Sequence, residues 1–186
     1  FAREGHPVVK VNLPHDWSIQ GVPVADEPAG NDGGYYPTGK GEYRKVLHLK
    51  TKSADRRYSL YFEGVYMNAE VVVNGTSTGT QHYGYTSFLR DVTDLLCEGD
   101  NEVVVRVDNS QQKNCRWYTG SGIYRHVWLV ETADVHFKHW GTVVTTPVVA
   151  QDDMSRVDVQ TVIVNESDRE RVLDMCVEIV QDASIG

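Results

Sequence analysis

A chain of 186 residues is longer than one β-sandwich of about 100 residues and shorter than two with their linkers, so one full domain plus part of another is expected. With 40% hydrophobic and 24% charged residues it sits near globular averages, and no apolar run approaches the roughly 20 residues of a membrane-spanning helix, so no membrane partner is expected. A formal charge of -8 repels a phosphate backbone, which sets nucleic acid aside.

The chain opens on Phe1-Ala2-Arg3-Glu4, with neither Met nor a basic-then-apolar leader, and the expectation is that a native start has been removed. The compartment is therefore open, bacterial cytoplasm and periplasm alike. Cys97, Cys115 and Cys176 form no CxxC pair and read as free thiols. His136 and His139, three apart in an extended segment, point to opposite faces, so neither a shared metal nor a cofactor is expected.

Along the chain the rhythm is period two. Strands are predicted at 43–49, 58–63, 70–73, 103–107, 126–131, 142–146, 157–164 and 173–180, the valines at 103, 105 and 107 and the set Leu173, Met175, Val177 and Ile179 each forming one dry face. Turn clusters lie between them at 29–34, 74–75, 98–101 and 165–168. Asn74-Gly75 is the favoured pair of a two-residue hairpin, which puts Val71 and Val73 on one face. No apolar pattern keeps a helical spacing for three turns. The class is all-β, antiparallel sandwiches of the jelly-roll or immunoglobulin-like kind. A boundary is placed at 132, giving domains 1–132 and 133–186, the second with room for about three strands where an immunoglobulin-like sandwich needs about seven.

Five segments in one order carry more than periodicity can. They are Leu13-Pro14-His15-Asp16-Trp17, Gly41-Glu42-Tyr43-Arg44-Lys45, Tyr61-Phe62-Glu63-Gly64-Val65, Val72-Val73-Asn74-Gly75, and the run Arg116-Trp117-Tyr118-Thr119-Gly120-Ser121-Gly122-Ile123-Tyr124-Arg125. Together they resemble the N-terminal, galactose-binding-like jelly-roll domain of glycoside hydrolase family 2, of the β-galactosidase-like branch, over residues 8 to 132. The remainder, with Gly141-Thr142-Val143-Val144-Thr145-Thr146-Pro147, resembles the start of that family's immunoglobulin-like domain.

The resemblance implies a retaining glycosidase whose two catalytic glutamates lie in a (β/α)₈ barrel outside this chain, acting on a carbohydrate such as a β-galactoside. The chain itself then carries no catalytic residue, and Asn101-Glu102 and Asn165-Glu166, which echo the family's Asn-Glu acid/base pair, fall at turns and read as coincidence. The resemblance also implies that Asn74 reaches the rim of the sugar site, with its side chain left free by the turn. Arg116, Trp117 and Tyr118 combine planar apolar faces with hydrogen-bond donors, the chemistry a sugar ring needs, and are candidates for the wall of the subsite. Some large bacterial β-galactosidases of the family carry an Asp in this loop that helps hold sodium; Arg116 stands at the matching place, so no sodium site is expected. Within His15-Asp16-Trp17, Trp17 is expected in the packing and Asp16 on a backbone or Arg partner. Two other readings share the fold. A free-standing carbohydrate-binding module needs a pocket complete within 1–132, and a purely structural domain needs a loop at 115–124 packed as an ordinary contact. A β-glucuronidase or β-mannosidase shares the same front domain.

Overall fold

The computed structural model describes residues 1–148 and 155–180, and every regular element among them is a strand. The chain divides into two compact units, 1–133 and 134–186.

The larger unit is a sandwich of two antiparallel sheets. One has the order β1-β2-β7-β4-β5, from β1 (Ala2–Arg3), β2 (Gly39–Leu49), β7 (Gly99–Asn109), β4 (Ala69–Val73) and β5 (Thr76–Gln81). The other has the order β6-β3-β8, from β6 (Phe88–Asp91), β3 (Arg56–Phe62) and β8 (Val127–Ala133). β2 and β7 pair along their whole length, from Gly39 opposite Asn109 to Leu49 opposite Gly99. Alternation decides which face is dry. Val103, Val105 and Val107 join Tyr43, Val71 and Val73 in a core that also takes Tyr58, Leu60 and Phe62 from β3. Each such side chain stabilises the fold by about 1.5–3 kcal/mol relative to exposure. The outward face of the same strands carries a charge ladder in which Arg106 meets both Glu42 (3.2 Å) and Glu70 (3.0 Å). Those pairs are exposed and contribute little individually.

The Asn74-Gly75 hairpin forms as the dipeptide predicts, with φ of 47° and 82° and Val73 opposite Thr76, and Val71 and Val73 are both buried. β5, unmarked in the sequence, is a polar edge strand, Thr-Ser-Thr-Gly-Thr-Gln, whose ladder to β4 needs no apolar face. β1 and β6, of two and four residues, are too short to show a period.

The segments 15–17 and 121–123 share no strand, yet they run side by side. The His15 N–H donates to Ile123 O at 2.7 Å and the Trp17 N–H to Ser121 O at 3.0 Å, while Gly122 exchanges both backbone bonds with Tyr66. This three-way pairing lays the loop between β7 and β8 over one end of the sandwich. Trp17 is buried at its foot, as expected.

The smaller unit pairs β9 (Val135–Val148) with β10 (Arg156–Asn165), its register shifting between Thr161 and Ile163. The strand predicted at 173–180 is a correction: residues 171–180 hold no ladder, and side chains on both alternating sets, Val172 and Ile179 among them, are exposed. Alternation gives a segment a dry face, but a strand exists only through a partner's hydrogen bonds, and this segment has none among the described residues.

Candidate functional site

The β7–β8 loop is anchored by polar residues buried beneath it. Asn109, the last residue of β7, donates its Nδ2 to Ser121 Oγ (2.8 Å) and Gly120 O (3.2 Å) and accepts at Oδ1 from Gln112 (3.0 Å) and Asn114 (2.9 Å). Ser18 Oγ lies 2.7 Å from both Ser121 Oγ and Pro37 O. Buried polar groups this fully paired specify one loop conformation, because any other leaves them unsatisfied.

On that base stands a cluster of aromatic rings. The Trp117 indole N–H donates to the Tyr85 hydroxyl at 2.8 Å, and Tyr85 packs edge-on to Tyr66 and Tyr83, with centroids 5.2 and 5.6 Å apart. Tyr118 donates to Asp16 Oδ2 at 2.6 Å and meets Tyr36 edge-on at 5.3 Å. Tyr124 donates to Gly84 O at 2.6 Å, tying the loop to the segment that carries Tyr83 and Tyr85. Trp117 nevertheless keeps 59% of its surface exposed and Tyr118 38%. Arg116 is exposed beside them. Burial raises the Tyr66 phenol, and burial with the Asp16 carboxylate raises that of Tyr118, so both stay protonated donors at neutral pH and neither can serve as a general base.

The exposed rings and the arginine offer apolar faces and hydrogen-bond donors. Glycoside hydrolysis with retention needs two carboxyl groups about 5 Å apart, one protonated and one ionised. The acids near the loop are engaged: Asp16 with three donors, Asp32 with Lys113 at 3.3 Å, Glu27 with Thr38 and Asp108 with Ser110. The depression between Tyr36, Trp117, Tyr118 and Gly120 has free space of about 10 Å³, room for one water and not for a pyranose ring. A larger space of about 490 Å³, open on one side to solvent, lies between the sheets; apolar side chains such as Phe1, Val11, Leu60, Phe62 and Leu129 make up most of its lining, with Lys10, Asn12, Arg44 and Lys45 among the rest.

The four residues singled out in the sequence do not come together. Arg116, Trp117 and Tyr118 share the loop, but Asn74 sits beside Glu102, seven residues and about 23 Å of β7 away from its Asn109 end. The Asn74 side chain is not free either, which corrects the expectation. Its Nδ2 donates to Leu95 O and Asn101 Oδ1, both at 2.8 Å, and its Oδ1 accepts from the Glu102 N–H at 2.9 Å. Both amide donors and one lone pair of the carbonyl oxygen are thus engaged inside the domain, so Asn74 clamps the hairpin to β7. Sequence reasoning passed over Tyr85, which holds the Trp117 ring, and the contact of Asp16 with Tyr118. The signal for Tyr85 was the aromatic alternation Tyr83-Gly84-Tyr85.

Residues 9–133 match the sugar binding domain of glycosyl hydrolases family 2. Beta-galactosidase BoGH2A of Bacteroides ovatus is 44% identical over 174 residues, 93% of this chain and 20% of that protein. A beta-glucuronidase of Bacteroides fragilis is 35% identical over 129 residues, 66% of this chain and 18% of that protein. The crystal structure of a glycosyl hydrolase family 2 member from Bacteroides cellulosilyticus superimposes with a TM-score of 0.78 at 44% identity, over 83% of this chain and 21% of that one. The chain thus spans about a fifth of the length of the relatives it matches.

Proposed function

The chain belongs to glycosyl hydrolases family 2, and we propose that it is the non-catalytic front of a retaining glycosidase cleaving terminal β-galactosides, with Arg116, Trp117 and Tyr118 forming part of the rim of the sugar subsite. Residues 134–186 are then the start of an immunoglobulin-like domain, and the catalytic glutamates lie in a barrel of the parent protein. The observation that carries the reading is the Trp117 ring, held in one attitude by Tyr85 and still more than half exposed. A rigid, exposed indole beside an arginine offers an apolar face and donors to a sugar held mainly by another domain. The 44% identity to a beta-galactosidase over nearly the whole chain supports the choice of substrate.

A second reading, the same domain in a β-glucuronidase, is favoured by Arg116. An exposed guanidinium in an aromatic loop matches a uronate carboxylate through a bidentate pair, and a relative at 35% identity is a beta-glucuronidase. A free-standing carbohydrate-binding module gains nothing from the shallow depression at the loop. Hydrolysis of nitrophenyl β-galactoside, β-glucuronide and β-mannoside by the full-length parent distinguishes the substrate readings. The highest kcat/KM on the galactoside supports the first, and the highest on the glucuronide replaces it with the second.

A further inference from the structure

We infer that Asp16 is a positioning residue of the subsite loop, fixing the attitude of Tyr118 and closing the loop backbone at Ser121. The inference rests on the reading that this loop meets the sugar.

Asp16 lies 102 residues before Tyr118 and 105 before Ser121, and its carboxylate is where the loop backbone closes. Oδ1 accepts the N–H groups of Ser18 and Ser121, each at 2.9 Å, and Oδ2 accepts the Tyr118 hydroxyl at 2.6 Å. A phenol on a carboxylate at that distance is a charge-assisted bond, roughly twice as strong as a neutral one. The loop is shaped around it. Gly120 turns with φ of 70°, and a Cβ there would come within 2.6 Å of Oδ2, so the backbone approaches the carboxylate as closely as only glycine allows. The two oxygens do different work. Oδ1 satisfies backbone donors and so serves the fold, whereas Oδ2 bonds only a side chain whose ring is exposed at the proposed rim. Without that bond the Tyr118 ring keeps its edge contact with Tyr36 but loses the partner that fixes its rotation.

This division gives a test in the full-length parent. Asp16→Asn keeps an oxygen for the two N–H groups and replaces the charged acceptor of Tyr118 with an amide. Asp16→Ala removes both functions. The expected result is that Asp16→Ala lowers Tm and kcat/KM together, while Asp16→Asn restores Tm to near the wild-type value but leaves kcat/KM about tenfold low, since small misplacements of site groups are costly. Tyr118→Phe is expected to give a similar loss, with no further loss in Asp16→Asn/Tyr118→Phe, because both remove the same charge-assisted phenol-to-carboxylate bond. Wild-type kinetics in Asp16→Asn alongside impaired Tyr118→Phe and Trp117→Ala overturns the role of Asp16 and leaves the loop reading intact. Wild-type kinetics in Tyr118→Phe and Trp117→Ala overturns the loop reading, and the inference with it.

Discussion

Asn74 and Asn101 lock one end of the sandwich, the Asn74 Nδ2 donating to Asn101 Oδ1 at 2.8 Å across 27 residues of sequence. Asn101 is fully buried and its amide also bonds the N–H of Cys97 and the carbonyls of Cys97 and Gly99. Asn101→Ala strands several buried backbone groups and is expected to destabilise by about 2–4 kcal/mol, read as a lower urea midpoint at unchanged m. Asn74→Ala is expected to lose about 1–3 kcal/mol. In the parent enzyme it should leave KM unchanged, since its amide is engaged by Leu95, Asn101 and Glu102 of the same domain.

Two glycines at positive φ separate backbone strain from steric clash. Gly75 (φ 82°) has open space around its missing Cβ, so Gly75→Ala is expected to cost about 1–2 kcal/mol from conformation alone. At Gly122 (φ 118°) a Cβ would lie 2.2 Å from the Tyr43 hydroxyl and 2.8 Å from His15 O, both on buried residues. Gly122→Ala should therefore destabilise clearly more than Gly75→Ala in the same denaturation series; equal losses would contradict the pairing of 121–123 with 15–17.

His15 makes a pH signature. It is buried, with Nδ1 2.7 Å from the Tyr43 hydroxyl and Nε2 3.2 Å from Gln20 Oε1, a pattern that suits a neutral ring accepting from Tyr43 and donating to Gln20. Burial holds its pKa below the ordinary histidine value. The unfolded chain therefore takes up this proton first as pH falls below about 6.5, and the folded state loses stability from there down to the lowered pKa. Urea midpoints should fall between pH 7.5 and 5. His15→Gln should flatten that interval, above the range where the carboxylates of Glu42, Glu70 and Asp108, held low by their Arg, Lys and hydroxyl partners, titrate.

What the sequence discloses and what it hides follow from the range of each interaction. The valines of β7 and the Asn74-Gly75 turn are legible because period and positive φ are local properties. The polar strand β5 is not, since it owes its place to β4 rather than to its own side chains. The segment 173–180 shows the converse, a local alternation without a partner strand among the described residues. At the site, the loop at 116–118 is legible as aromatic, glycine-rich composition. The engagement of Asn74 by Asn101 and the grip of Asp16 on Tyr118 depend on contacts 27 and 102 residues apart, which no local pattern encodes.

Arg116 separates the two substrate readings. In the parent, Arg116→Gln is expected to lower kcat/KM about tenfold or less on a neutral β-galactoside, as for loss of one hydrogen bond. If a uronate is the natural group, the loss on the β-glucuronide should be larger, nearer a hundredfold, and should shrink as salt is added.

Trp117 is the side chain through which the loop most directly meets a sugar in the proposed function. Trp117→Ala in the full-length parent, assayed on nitrophenyl β-galactoside with Tm measured alongside, is expected to lower kcat/KM about tenfold or more at nearly unchanged Tm, because the ring is exposed and its single hydrogen bond runs to Tyr85. Wild-type kcat/KM in that variant would contradict the claim that this loop meets the sugar.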